Sequence, residues 1–118
     1  MRAIVNGVEG GRIGLYKGGA ATLKIRLLGD DGTTVDITDA VTLEAIVYDT
    51  KDRRNAAIFS KALTPGTLTA GVATLALLAS EMTWGPSTNN VPYYLYIHFK
   101  DVSNVDAFGL TPVEVIIK

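Results

Sequence analysis

Apolar and polar residues alternate with a period of two along most of this chain. Leu23, Ile25 and Leu27 are separated by Lys24 and Arg26, which puts three aliphatic side chains on one side of an extended segment and the cations on the other. Val41, Leu43, Ala45 and Val47 repeat the pattern against Thr42 and Glu44, and Ala73, Leu75 and Leu77 repeat it around Thr74. Its strongest instance places Tyr93, Leu95, Ile97 and Phe99 inward, with Tyr94, Tyr96, His98 and Lys100 facing the other way. Val113, Val115 and Ile117 alternate around Glu114, and a weaker strand runs from Ile58 to Leu63. Turn-forming residues fall between these segments at Asp31-Gly32, Asp49 to Asn55, Pro65-Gly66, Ala70-Gly71 and Ser103-Asn104. The pattern predicts an all-β antiparallel sandwich of about seven strands. Its expected core is Leu23, Ile25, Leu27, Leu43, Val47, Leu75, Leu77, Leu95, Ile97, Phe99, Val113 and Val115.

Two segments depart from the alternation. Leu78 to Trp84 lacks β-branched residues before Thr83 and ends at Gly85-Pro86, so one or two helical turns are expected there. Residues 1–19 carry Gly7, Gly10, Gly11, Gly14, Gly18 and Gly19, too many for one uninterrupted packed strand, and read as an N-terminal arm or an edge strand. The remainder, 20–118, reads as one sandwich domain.

Composition narrows the function classes. At 118 residues, 47% hydrophobic and 19% charged, the chain has the makeup of one globular domain with its own core. No apolar run reaches the roughly 18 residues of a spanning helix, and Asn6, Gly7 and Glu9 interrupt the apolar block a signal peptide needs, so no membrane partner is expected. Cysteine is absent, which removes disulfides, thiolate metal sites and a Cys nucleophile. A formal net charge of −1 supplies no basic face for nucleic acid.

Candidate chemistry is sparse. Asp30-Asp31-Gly32 lacks both the alternating ligands and the closing Glu of a calcium loop, and it leads into a β-branched run instead of the helix that a phosphate cradle opens. A hairpin turn accounts for it, with glycine taking positive φ and Asp31 bonding nearby backbone. The glycine run from Gly7 to Gly14 does not fit the dinucleotide spacing. His98 is the single histidine and has no acidic neighbour along its own strand face, and no G-x-S-x-G elbow accompanies Ser60, Ser80, Ser87 or Ser103. No catalytic residue, metal ligand or cofactor site is expected, and the chain reads as a non-enzyme. Outward Tyr94 and Tyr96, with Trp84, suit either a subunit interface or, with the polar Ser87 to Asn90 loop, a sugar platform in a carbohydrate-binding module.

The order Thr22 to Leu27, Asp31-Gly32, then Val35-Asp36-Ile37-Thr38-Asp39-Ala40, then Leu43 to Asp49, resembles the immunoglobulin-like domain of tailed-bacteriophage virion proteins, as in the upper baseplate protein N-terminal family. That family has a D-G turn and a D-[LI]-T-[GD]-A step between the corresponding strands. Gly71 to Leu77, the short Leu78 to Trp84 segment, Tyr93 to Lys100 and the last strand to Ile117 continue the likeness over about Ala21 to Lys118. The resemblance implies an immunoglobulin-like sandwich acting without catalysis as a symmetric assembly module in a virion. Residues 1–19 and the insertion Gly85 to Asn90 depart from the pattern, and the sequence given stops at Lys118, where the baseplate family continues into helical and receptor-binding parts. A capsid decoration or cement protein is therefore the first expectation, and a tail or baseplate adaptor the second. Capsid or tail subunits are the expected partners, with Val5, Ile13 and Leu15 on the arm and Trp84, Tyr94 and Tyr96 on the sandwich as contact residues. A homo-oligomer is expected, the trimer being a working choice.

Overall fold

The computed structural model describes residues 1–85, 87 and 91–118; of the Gly85 to Asn90 insertion, Pro86 and Thr88 to Asn90 lie outside the described residues. Among the described residues eleven strands form two facing sheets. β1 (Arg2–Val5), β2 (Val8–Glu9), β4 (Ala21–Leu28), β7 (Thr64–Pro65) and β8 (Val72–Leu77) make one, in the order β2-β1-β4-β8-β7. β3 (Arg12–Leu15), β5 (Ala40–Tyr48), β6 (Phe59–Ala62), β9 (Tyr93–Asp101) and β11 (Val113–Ile117) make the larger one, in the order β3-β11-β9-β5-β6, and β10 (Asp106–Phe108) pairs with the far half of β9. With β4, β5, β8, β9 and β11 taken as strands B, C, E, F and G, this is the strand order of an immunoglobulin-like sandwich. Two of the links that change sheets are very short, Gly10-Gly11 between β2 and β3 and Leu63 between β6 and β7.

Alternation is the cause of the layering. Every one of the twelve expected core residues is buried, and Leu27, Val47, Leu75 and Val115 are wholly so. Ile37, Leu63, Met82 and Ile117 belong to the same cluster. At about 25 cal/mol per Å² of apolar surface this packing dominates the stability, since no disulfide supplements it. Val41 breaks the pattern. The β5–β9 register shifts between Ala40 and Thr42, and this irregularity leaves Val41 exposed although alternation would turn it inward.

Residues 1–19 do not form a free arm. β1 lies along β4 in one sheet and β3 runs parallel to β11 in the other, so the segment provides edge strands β2 and β3 and helps close both layers. Its glycines mark the turns between short strands: Gly7, Gly10, Gly11 and Gly18 all have positive φ. The expected helical turns after Leu77 shrink to one 3-10 turn, Ala79–Glu81, whose Glu81 carboxylate accepts the Leu78 N–H at 2.9 Å.

Asp31-Gly32 is a turn. Asp31 Oδ1 accepts the Thr33 N–H at 3.0 Å and the Thr33 hydroxyl at 2.7 Å, while Gly32 sits at φ 86°. Asp36 repeats the device on Thr38, accepting from its N–H at 2.9 Å, and this fixes the turn that drops Ile37 into the core.

β7 is only two residues long, so among the described residues the Leu75–Leu77 half of β8 has no strand beside it in that direction. Lys61 covers it: its Nζ donates to the Ala76 carbonyl and to Glu81 Oε1, each at 2.5 Å. A charged side chain laid over an open edge blocks pairing with another chain. Lys61→Met is therefore expected to raise the tendency of the protein to self-associate through β8, and sedimentation velocity over a range of concentrations checks this against the parent chain.

Candidate functional site

The outward face of the larger sheet gathers the aromatic and titratable side chains. Strand pairing sets Glu44 opposite His98, Ile46 opposite Tyr96 and Tyr48 opposite Tyr94, while β10 lays Phe108 opposite His98 and Asp106 opposite Lys100. His98 Nδ1 lies 3.1 Å from Glu44 Oε1 and its Nε2 lies 2.6 Å from Asp106 Oδ1. The acidic neighbours missing along the strand thus come from other strands, 54 and 8 residues away in sequence. This corrects the expectation of a histidine without acidic company. Burial of the ring works against its charge, but the hydrogen bonds to Glu44 and Asp106 outweigh that effect and raise the His98 pKa above its ordinary value.

An aromatic stack extends from the histidine. Its ring lies on Phe108 with centroids 4.5 Å apart and planes 16° from parallel, and the Arg53 guanidinium sits 4.0 Å from the centre of the Phe108 ring. Tyr96 meets Phe108 edge-on at 6.2 Å, also lies under Arg53 and donates its hydroxyl to the Lys51 carbonyl. The Asp49 to Asn55 loop therefore folds down over the sheet instead of standing free. Both ring nitrogens of His98 are aimed at carboxylates on opposite sides, so the donors do not converge on one point as metal ligands must. Among the described residues no group of three His, Asp or Glu side chains is placed to hold a metal ion.

At the end of the sandwich beside this stack, three valines face solvent. Val41 is 62% exposed, Val102 66% and Val105 48%. Their backbones are held together: Ala40 pairs with Asp101, the Val102 N–H donates to the Asp39 carbonyl at 3.2 Å, and the Asp101 N–H donates to the Val105 carbonyl at 3.0 Å. Asp101 Oδ1 also accepts the N–H groups of Ser103 and Val105, which fixes the turn. A β-strand irregularity and one tight turn thus present a small, positioned apolar tip.

Most of the contact residues expected from sequence lie elsewhere. Val5, Leu15, Trp84 and Tyr96 are buried within the chain, and Ile13 is partly buried against the core. They stabilise this domain instead of offering a surface to another. Trp84 packs on Phe59 and Tyr93 with centroids 5.2 and 5.8 Å apart, so the sugar platform of Trp84 with Tyr94 and Tyr96 is not assembled, and three of the four residues expected to line it, Thr88 to Asn90, lie outside the described residues. Tyr94 keeps a partly open position, between a groove with Arg12, Lys51 and Glu114 and another with Asp49, Lys51 and Arg54. The valine tip had a sequence signal that period-two counting overlooks: a Ser103-Asn104 turn flanked directly by valines on both sides. No protein-family model matches the chain, and no curated protein matches it at a significant level.

Proposed function

We propose that the chain is a non-enzymatic structural protein of a bacteriophage virion, in first place a capsid decoration or cement protein and in second a tail or baseplate adaptor. It docks on neighbouring virion subunits through the tip formed by Val41, Val102 and Val105. The pattern of strands, D-G turn and Asp36 to Ala40 step supports the virion setting by resemblance. The valine tip carries the docking role, because a cluster of β-branched aliphatics held exposed by a rigid turn gains from being covered. Each valine contributes about 1.5 to 3 kcal/mol when fully buried. Docking by a rigid tip replaces docking by an ordered arm, since residues 1–19 already belong to both sheets.

The test mixes the purified chain with phage heads, and separately with tails, assembled without it, and measures co-sedimentation. The intact chain is expected to bind one of them, and the double variant Val102→Asp, Val105→Asp to bind at least tenfold more weakly with unchanged circular dichroism. Each valine lost from a buried contact is worth about a tenfold change or more. Intact chain that binds neither particle overturns the virion setting, and a double variant that binds as well as the parent overturns the tip.

A further inference from the structure

We infer that His98 is a proton-operated clasp: with both ring nitrogens protonated it ties β10 to β5, and loss of one ring proton loosens β10 and the turn that presents Val102 and Val105. The effect on docking rests on the function proposed above, whereas the clasp itself does not.

Hydrogen-bond inventory carries the inference. An ionised carboxylate only accepts, and a neutral imidazole has one N–H and one lone pair. His98 places Nδ1 at 3.1 Å from Glu44 and Nε2 at 2.6 Å from Asp106, so both contacts are hydrogen bonds only in the imidazolium form. A neutral ring turns one of them into a lone pair facing an acceptor oxygen. The charged groups on every neighbouring element are few: Glu44 on β5, Asp106 on β10, Lys100 opposite Asp106 on β9 and Arg53 behind Phe108. Among the described residues neither Lys100 nor Arg53 forms an ion pair with Glu44 or Asp106, so the histidine is the cation that both carboxylates engage.

β10 is the element such a clasp can move. It has three residues and, among the described residues, pairs with β9 alone, and the segment 109–112 separates it from β11. Asp106 and Phe108 make its side-chain contacts to His98, one by hydrogen bond and one by stacking. Val105 directly precedes it, and Val102 lies in the same β9–β10 turn. The pKa of His98 is raised in the fold, so the clasp is fully closed below the unfolded value of about 6.5 and opens as pH rises through the folded value.

Nitrogen-15 NMR of the full chain, with amide exchange across pH 5.5 to 9, tests this. Both ring nitrogens are expected to be protonated at pH 6, with a midpoint above that of a free histidine, and Asp106→Asn is expected to lower that midpoint. Protection of the Gly109 and Asp101 amides, which bond to Ile97 and Val105, should fall above the midpoint after correction for intrinsic exchange, while the Glu114 amide bonded to Gly11 stays unchanged. Each unit by which the midpoint is raised corresponds to about a tenfold change in opening. A single protonated nitrogen at pH 6, or flat protection through the midpoint, overturns the clasp. If the clasp titrates as stated but the intact chain binds no virion particle at any pH, the proposed function falls and the clasp stands. Particle binding that ignores the titration removes the coupling between the two.

Discussion

Gly71→Ala is expected to lower the thermal midpoint by about 10 to 20 °C, a loss on the order of 3 to 5 kcal/mol for a domain of this size. Gly71 closes the 3-10 turn Leu68–Ala70 with φ 66°, in the left-handed region that a Cβ disfavours. Space is a second obstacle. An added Cβ would stand 2.5 Å from the Val35 carbonyl oxygen and 2.8 Å from that of Leu27. Neither can swing aside as a side chain would, because both are backbone and the Leu27 N–H is itself bonded to the Gly71 carbonyl at 2.9 Å. Gly7→Ala is the matched control, with φ 83° but nothing within 4 Å of the added carbon, so only the conformational cost of about 1 kcal/mol is expected. Equal melting of the two variants would show that the close approach at Gly71 contributes nothing.

Leu95→Ala is expected to destabilise the domain by about 2 to 5 kcal/mol, read from urea unfolding. Leu95 is 1% exposed on β9, the strand at the middle of the larger sheet, between Val47 of β5 and Val113 of β11. With paired strands on both sides the backbone cannot collapse into the space left by the side chain, which places the loss above the low end for leucine. A loss below about 0.5 kcal/mol would mean the side chain contributes no burial.

Period-two alternation was enough to place the five long strands and the core, because each half-buried strand repeats the same physical demand at every second residue. Features made by long-range pairing were not legible. Tyr96 stands at an outward position, as its alternation requires, yet Arg53, Phe108 and the Lys51 carbonyl cover it from segments remote in sequence. His98 showed no acid on its own strand for the same reason: Glu44 and Asp106 arrive through strand register. Val41 was misplaced by one irregularity, since a single extra residue reverses the side to which a strand residue points. The glycines of residues 1–19 pointed to an arm or an edge strand; they serve as the corners that let strands of two to four residues turn and cross between sheets. Short strands carry too few residues for alternation to be counted.

The parallel pairing of β3 with β11 bears on how the domain carries load. Lys118 donates its N–H to the Leu15 carbonyl and so lengthens this joint by one bond. A lengthwise pull on either of the two slides β3 and β11 past each other. The register pairs from Arg12–Glu114 to Leu15–Ile117 resist as a group, because their hydrogen bonds lie across the pull and must rupture together instead of unzipping one by one. A pull along the strands therefore meets this joint in its strongest direction.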